Sequence, residues 1–251
     1  MVINKHNWFA LAKHYLQATA GELLSGTIHN INNHLHVLDM QVELLNNKMD
    51  SIQAGETQGL EKRLTRLSQA SKGISDLIQE TGKRQFYLQT EPSQVDISEF
   101  LHWQYNFWGN NLFFKHHINL ELEIASKSPS SLQMPPFLLT FCIEQAFKNA
   151  LEACTANNAE TLELRIAVQP YHSGLSITLF SPTELPQNEK PNSLDPWEPG
   201  SSSKPGHLGL GLPLINHCAQ AAGWECKLSC PAPKQTQFIL SIPNLKTETD
   251  F

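Results

Sequence analysis

From about Phe9 to Lys48 the chain holds no proline, and Leu24, Ile28, Ile31, Leu35, Leu38, Val42 and Leu45 recur at spacings of 4, 3, 4, 3, 4 and 3. That period predicts a long helix carrying a heptad seam. After the polar break MDSIQAGETQG, a second proline-free stretch places Leu60, Leu64, Leu67, Ser71, Ile74 and Ile78 at 4, 3, 4, 3 and 4. Two long helices with a short connection make a hairpin. Each helix has one apolar stripe, and the hairpin is too thin to hide both. Pairing with a second copy into a four-helix bundle is the expected remedy, so a homodimer is the default.

Near TEPSQVD, Thr90 to Asp96, the pattern changes, and beyond it the prolines and glycines concentrate. The boundary is placed there, giving a helical hairpin over residues 1–92 and a second domain over 93–251. INLELEI, TLELRIAV, GLSITLF, WECKLSC and TQFILSI carry the two-residue alternation of strands with one buried face. Helical spacing interrupts them at about Ser98 to Trp108, Pro136 to Thr155 and Leu210 to Ala222. A proline-, serine- and glycine-rich stretch between Ser181 and His207 is too long for a simple connection and reads as a lid at about 181–208. The fold class is α+β: a hairpin, then a layered α/β sandwich.

With 40% hydrophobic and 17% charged residues, 251 residues suffice for a sizeable core. The net charge of −6, with no basic run longer than two, argues against a nucleic-acid partner. No apolar stretch reaches the roughly 20 residues that cross a bilayer, and the first residues lack a signal peptide's apolar core. The chain therefore reads as cytoplasmic. Five cysteines without a CxxC encode neither a disulfide framework nor a zinc knuckle; buried thiols are expected. His116 and His117, read as part of a strand, point to opposite faces and cannot share a metal. The aromatic run Trp103, Tyr105, Phe107, Trp108, Phe113 and Phe114 is read as core, packing the junction between hairpin and sandwich.

The first candidate chemistry lies in GTIHNINNHLHVL, Gly26 to Leu38. His29 falls just off the seam, facing solvent, and Asn33 shares its face one turn on. Imidazole is a competent nucleophile toward phosphorus near neutral pH. By residue type alone, an ordinary solvated helix fits as well, since His14, His34 and His36 lie on it too. HNINN followed by Leu35 resembles the H-box of bacterial sensor histidine kinases, H-E-I-N-N-P-L. The resemblance implies His29 as phosphoacceptor and Asn33 as the residue that orients water for dephosphorylating a response regulator. Asn30 stands where the family has the acid thought to accept the histidine's proton, and an amide is no general base near neutral pH. His34 replaces the proline, removing the usual kink.

FCIEQAFKNALEAC, Phe141 to Cys154, resembles the N-box of the same family's GHKL-type ATP-binding domain, which makes Asn149 the oxygen ligand of Mg²⁺. Gln145 matches the box's earlier polar position, with Glu144 beside it, and Lys148 is placed to reach a phosphate. LDPWEPGSSSKPGHLGLGLPLI, Leu194 to Ile215, resembles the closing part of the family's ATP lid, F-x-P-F-x-T-T-K and then G-T-G-L-G-L. Trp197 stands for the first phenylalanine and Gly200 for the second; Ser202, Ser203 and Lys204 match T-T-K; Gly209 and Gly211 match the last two glycines. Glycines let a backbone approach phosphate oxygens, and a helix N-terminus offers free N–H groups.

One motif is missing. The family's D-x-G-x-G, whose aspartate bonds the adenine amino group, aligns with FSPTELP: Phe180 at the aspartate, Pro182 and Glu184 at the glycines. A frame shifted by one puts Ser181 at the aspartate. Losing that contact removes much of the discrimination for adenine.

The resemblance spans nearly the whole chain, in the family's motif order. It implies a dimeric phosphotransfer hairpin followed by a GHKL-type sandwich, with ATP and Mg²⁺ as the cofactors and response regulator receiver domains as partners. No sensor domain is expected, because only about ten residues precede the long helix. With two catalytic positions altered, the expected function is relay of phosphoryl groups through His29 to or from receiver domains, the nucleotide site being degenerate. The alternatives are an atypical ATP-dependent histidine kinase, and a dimeric scaffold or response-regulator phosphatase acting through Asn33 without phosphohistidine.

Overall fold

The computed structural model describes residues 5–49, 58–155, 161–183, 195–200 and 208–244. Two long helices come first, α1 (Lys5–Met49) and α2 (Gln58–Tyr87), antiparallel and in contact along the hairpin. A two-stranded antiparallel sheet joins β1 (Ser93–Asp96) to β3 (Ser131–Met134). Between them lie α3 (Ile97–Trp108), α4 (Leu112–His117) and β2 (Ile118–Ile124). After β3 the chain continues through α5 (Pro136–Thr155), β4 (Leu162–Tyr171), β5 (Gly174–Ser181), α6 (Gly211–Ala221), β6 (Glu225–Ala232) and β7 (Gln235–Ile242). The main sheet has the order β2-β4-β5-β7-β6; β2 and β4 are parallel and every other neighbouring pair is antiparallel.

Local chemistry sets several of these ends. Asp96 caps α3, its Oδ1 accepting from Glu99 N at 2.7 Å, and Asn111 caps α4, its Oδ1 accepting from Phe114 N at 2.9 Å. The Asn111 cap starts a helix where the strand reading of His116 and His117 had none; both histidines sit in the last turn of α4. Along β5 the residues Leu175, Ile177 and Leu179 are buried while Ser176, Thr178 and Phe180 are half-buried, so one face of the strand meets the helices. Phe141, Phe147, Leu214, Ile215 and Cys218 from α5 and α6 fill the space above it. Cys142, Cys154 and Cys218 are buried free thiols, and burial pushes Cys218 up to about 12; Cys226 is half-buried and Cys230 exposed.

Helix α1 carries a second stripe, distinct from the seam. Trp8, Ala12, Leu16, Thr19 and Leu23 are all buried, and this half of the helix lies across α5 and α6. The sandwich thereby gains a third layer. Trp8 stacks on His217 of α6 with ring centroids 4.9 Å apart. Burying a side chain of the size of Leu16 or Leu23 stabilises by roughly 1.5–3 kcal/mol, so this face holds hairpin and sandwich together.

A polar node reinforces the junction. Arg84, near the end of α2, donates to both carboxylate oxygens of Glu144 on α5, at 2.7 and 3.1 Å, and to Leu16 O on α1 at 2.8 Å. Its guanidinium lies 4.2 Å from the centre of the Phe107 ring. Tyr87 packs on Trp103 at 4.4 Å, and Trp103 Nε1 donates to Glu80 O. Of the aromatic run, Trp103, Trp108 and Phe114 are buried at this junction, whereas Tyr105 is exposed.

The seam behaves differently. Leu24, Ile28, Leu35 and Val42 are 43–56% exposed, as are Leu64 and Ile78 of α2 at 57% and 62%. Between the two helices of the hairpin sit small or polar residues instead: the His34 ring occupies the space beside Gly73, and Gln41 is buried without a hydrogen-bond partner among the described residues.

Candidate functional site

His29 is exposed on α1, and its Nδ1 lies 3.3 Å from Asn33 Nδ2. As placed, Asn33 Nδ2 donates to Nδ1 and the ring proton sits on Nε2; the turned amide serves the contact equally. With the carbonyl turned toward the ring, Asn33 Oδ1 accepts from Nδ1–H and Nε2 keeps its lone pair. Asn30 turns the other way. Its Nδ2 donates to Asn110 Oδ1 at 3.0 Å, and its Oδ1 accepts from Lys115 Nζ at 3.3 Å. Gly26, one turn earlier, abuts the same corner: a Cβ there would sit 1.7 Å from Asn110 O. The connection between α3 and α4 is thus seated on α1 beside His29. An open cleft of about 450 Å³ lies between hairpin and sandwich at this point, lined by Asn30, His34, Asp76, Glu80, Asn110 and Lys115 among others.

The second cluster forms where α5 meets the start of α6. Gly211 opens α6, and a Cβ on it would lie 3.6 Å from Asn149 Oδ1 and 3.7 Å from Gln145 Oε1. The N-terminus of α6 has no side-chain cap, the residue before it being Leu210. Gln145 is 2% exposed, and its Nε2, like Asn149 Nδ2, has no partner among the described residues. Gly209 adopts φ +61°, a conformation that favours glycine, and its carbonyl accepts from Gly200 N at 3.3 Å. Lys148 points elsewhere, its Nζ 2.7 Å from Glu22 Oε1 on α1, and Glu144 is taken by Arg84. Ser202, Ser203 and Lys204 lie outside the described residues, as does most of the 181–208 lid.

At the other end, where a base would sit between sheet and helices, the frame that set Phe180 at the reading position aims it the wrong way. Phe180 lies on the far face of β5 under the Arg165 guanidinium, 4.1 Å from its ring centre. Ser181 faces the helices and is buried, with Oγ 2.8 Å from Thr183 Oγ1; Thr183 O accepts in turn from Thr236 Oγ1. Among the described residues this end is neutral and its hydroxyls are already paired. The residues present therefore fit the phosphate and metal end of ATP–Mg²⁺, with Asn149 and Gln145 open toward it, and do not fit an adenine reader.

Neither a family model nor a curated protein matches the sequence. Solved structures do match in fold. The nucleotide-free catalytic domain of the histidine kinase ThkA superposes with a TM-score of 0.50 at 15% identity, covering 61% of this chain and 96% of that one. The fold is that of a sensor histidine kinase. Full-length ShkA in complex with AMPPNP superposes with a TM-score of 0.50 at 11% identity, over 96% of this chain and 46% of that one. Within the histidine kinase fold, hairpin and sandwich are both present here, and among the described residues no helix is long and apolar enough to cross a membrane.

Some partners in these sites escape sequence reading. Asn110, Lys115, Glu22 and Arg84 act through contacts 60 to 126 residues apart in the chain. The one local signal was Gly26, a glycine inside a helical pattern, which marks a close approach.

Proposed function

We propose that this chain is a two-component phosphotransfer protein in which His29 exchanges phosphoryl groups with aspartates of response regulator receiver domains. The observation that carries the reading is the exposed His29 ring held at Nδ1 by Asn33 while Asn30 is committed to Asn110 and Lys115. In the transfer, with the Asn33 amide turned so that its Oδ1 accepts from Nδ1–H, the Nε2 lone pair attacks the phosphorus of an aspartyl phosphate. The bond from phosphorus to the aspartate oxygen breaks, the carboxylate leaves with its electron pair, and Nδ1 keeps its proton on the Asn33 carbonyl. The imidazolium charge that results sits beside an amide dipole rather than a carboxylate. An activated acyl phosphate makes this step feasible with positioning alone.

The working unit is a homodimer. The 43–56% exposure of Leu24, Ile28, Leu35 and Val42 leaves a contiguous apolar stripe, and a second copy of the same stripe closes it into a four-helix bundle. The sandwich serves chiefly as a fixed platform, since the buried α1 stripe and the Arg84–Glu144 pair hold it against the hairpin.

The test uses a receiver domain charged with labelled phosphate. Label should move to this protein, His29→Ala should accept none, and Asn149→Ala should accept as much as wild type. Acceptance by His29→Ala would sink the relay. The second reading, an ATP-dependent kinase, is favoured by the open amides of Gln145 and Asn149; it requires labelling by ATP that both His29→Ala and Asn149→Ala abolish.

A further inference from the structure

The cradle between α5 and α6 holds two side-chain amides with unpaired N–H groups. Gln145 is 2% exposed, its amide lies against the first residue of α6, and its Nε2 is unpaired among the described residues. Asn149 Nδ2, one turn along the same helix, is unpaired as well. Both amides lie beside the first residue of the eleven-residue helix α6, whose N-terminus no side chain among the described residues caps. Unpaired amide N–H groups beside the positive end of a helix are satisfied by an anion. The strand β5, which leads to the position of a base reader, ends in the Ser181–Thr183 hydroxyl pair, which is neutral, buried and already bonded, with Phe180 turned to the far face.

We infer that this cradle is a phosphoanion site that does not read a base: it takes the phosphate chain of inorganic tripolyphosphate as readily as that of ATP. The inference rests on the reading in which nucleotide does not drive His29, and it adds the chemical class that the same pocket still accepts. Gly211 is part of the site because a side chain at its position would fill the space between the Gln145 and Asn149 amides at 3.6–3.8 Å, in ordinary contact and without strain.

The experiment is calorimetric titration of the full chain, with Mg²⁺ present throughout, by tripolyphosphate, ATP and adenosine. Tripolyphosphate and ATP should bind with dissociation constants within about threefold of one another, and adenosine should give no heat, because a phosphate chain supplies all the charge-assisted contacts. Gln145→Glu should weaken both phosphate ligands at least roughly tenfold, as loss of a hydrogen bond to a charged group does. Gly211→Ala should do the same by filling the cradle, and matching thermal unfolding of the two variants with wild type shows that neither has simply lost its fold. ATP binding about a hundredfold tighter than tripolyphosphate, or no heat from either at millimolar concentration, would overturn the inference. The relay reading stands or falls separately, on phosphate acceptance from a receiver domain.

Discussion

Replacing Arg84 with methionine is the sharpest perturbation of the junction between hairpin and sandwich. Glu144 has a fully buried side chain, and Arg84 is its charge partner, itself only 11% exposed. Burial pushes the Glu144 carboxyl up; the Arg84 charge and hydrogen bonds pull it part of the way back, helped by Gln104. Methionine keeps the apolar contact with Phe107 and removes the charge. Leaving a buried carboxylate without its partner costs about 3–5 kcal/mol. The sign of the pH dependence follows from the raised carboxyl. Folded protein holds a proton that the unfolded chain releases, so this group's contribution falls as pH rises from the ordinary glutamate value through the raised one. Without Arg84 the carboxyl rises further, and the window widens upward. The variant should therefore lose about 3–5 kcal/mol at pH 8 and progressively less as the pH falls toward the ordinary glutamate value, since protonation removes the unpaired charge. Urea unfolding followed by tryptophan fluorescence, at one protomer concentration, measures both, since Trp103 and Trp108 are buried at the junction. Arg84→Met/Glu144→Leu should recover to within about 1–2 kcal/mol of wild type, the remainder being the lost donation to Leu16 O. A single-variant loss below about 1 kcal/mol at pH 8, or one that does not change with pH, would refute the reasoning.

Three further outcomes are expected. Gly26→Ala gains up to about 1 kcal/mol of helix propensity but sets a methyl 1.7 Å from Asn110 O, so a net loss of about 1–2 kcal/mol is expected from the same urea measurement. Leu35→Glu, at a position 43% exposed in the single chain, should convert a dimer to a monomer in sedimentation velocity; an unchanged dimer would move the interface off the α1 stripe. Asn30→Asp restores an acid next to His29 but holds it toward Lys115 Nζ, 3.3 Å from the present Asn30 Oδ1, so incubation with labelled ATP should still leave His29 unlabelled.

Much of the fold was legible because the sequence alternates at the right periods. The five strand segments and the three later helices appear within a few residues of their expected ends, and the α1 seam was evident from its spacing. The short pair β1 and β3 was not, since four-residue strands such as Ser93–Asp96 leave almost no pattern to read. The second stripe of α1 escaped for another reason: Trp8, Ala12, Leu16, Thr19 and Leu23 mix an aromatic, a small and a polar residue, and only the sandwich they bury against gives them a common role. At the candidate sites, residue type and order located Asn149, Gln145 and Gly211 within one cluster. What sequence order left undetermined was direction. Lys148 lies on the cradle helix yet spends its charge on Glu22, and Phe180 aligns with the missing aspartate yet faces away from the helices. Both are settled by packing between segments distant in the chain.

The measurement that bears most directly on the account is ³¹P NMR of the protein after incubation with a phosphorylated receiver domain. A phosphoramidate resonance of the Nε2 isomer, absent from His29→Ala, is the predicted result, because Asn33 occupies Nδ1 and leaves Nε2 open. A receiver that loses its phosphate while no phosphohistidine forms, or a resonance that persists in His29→Ala, would contradict it.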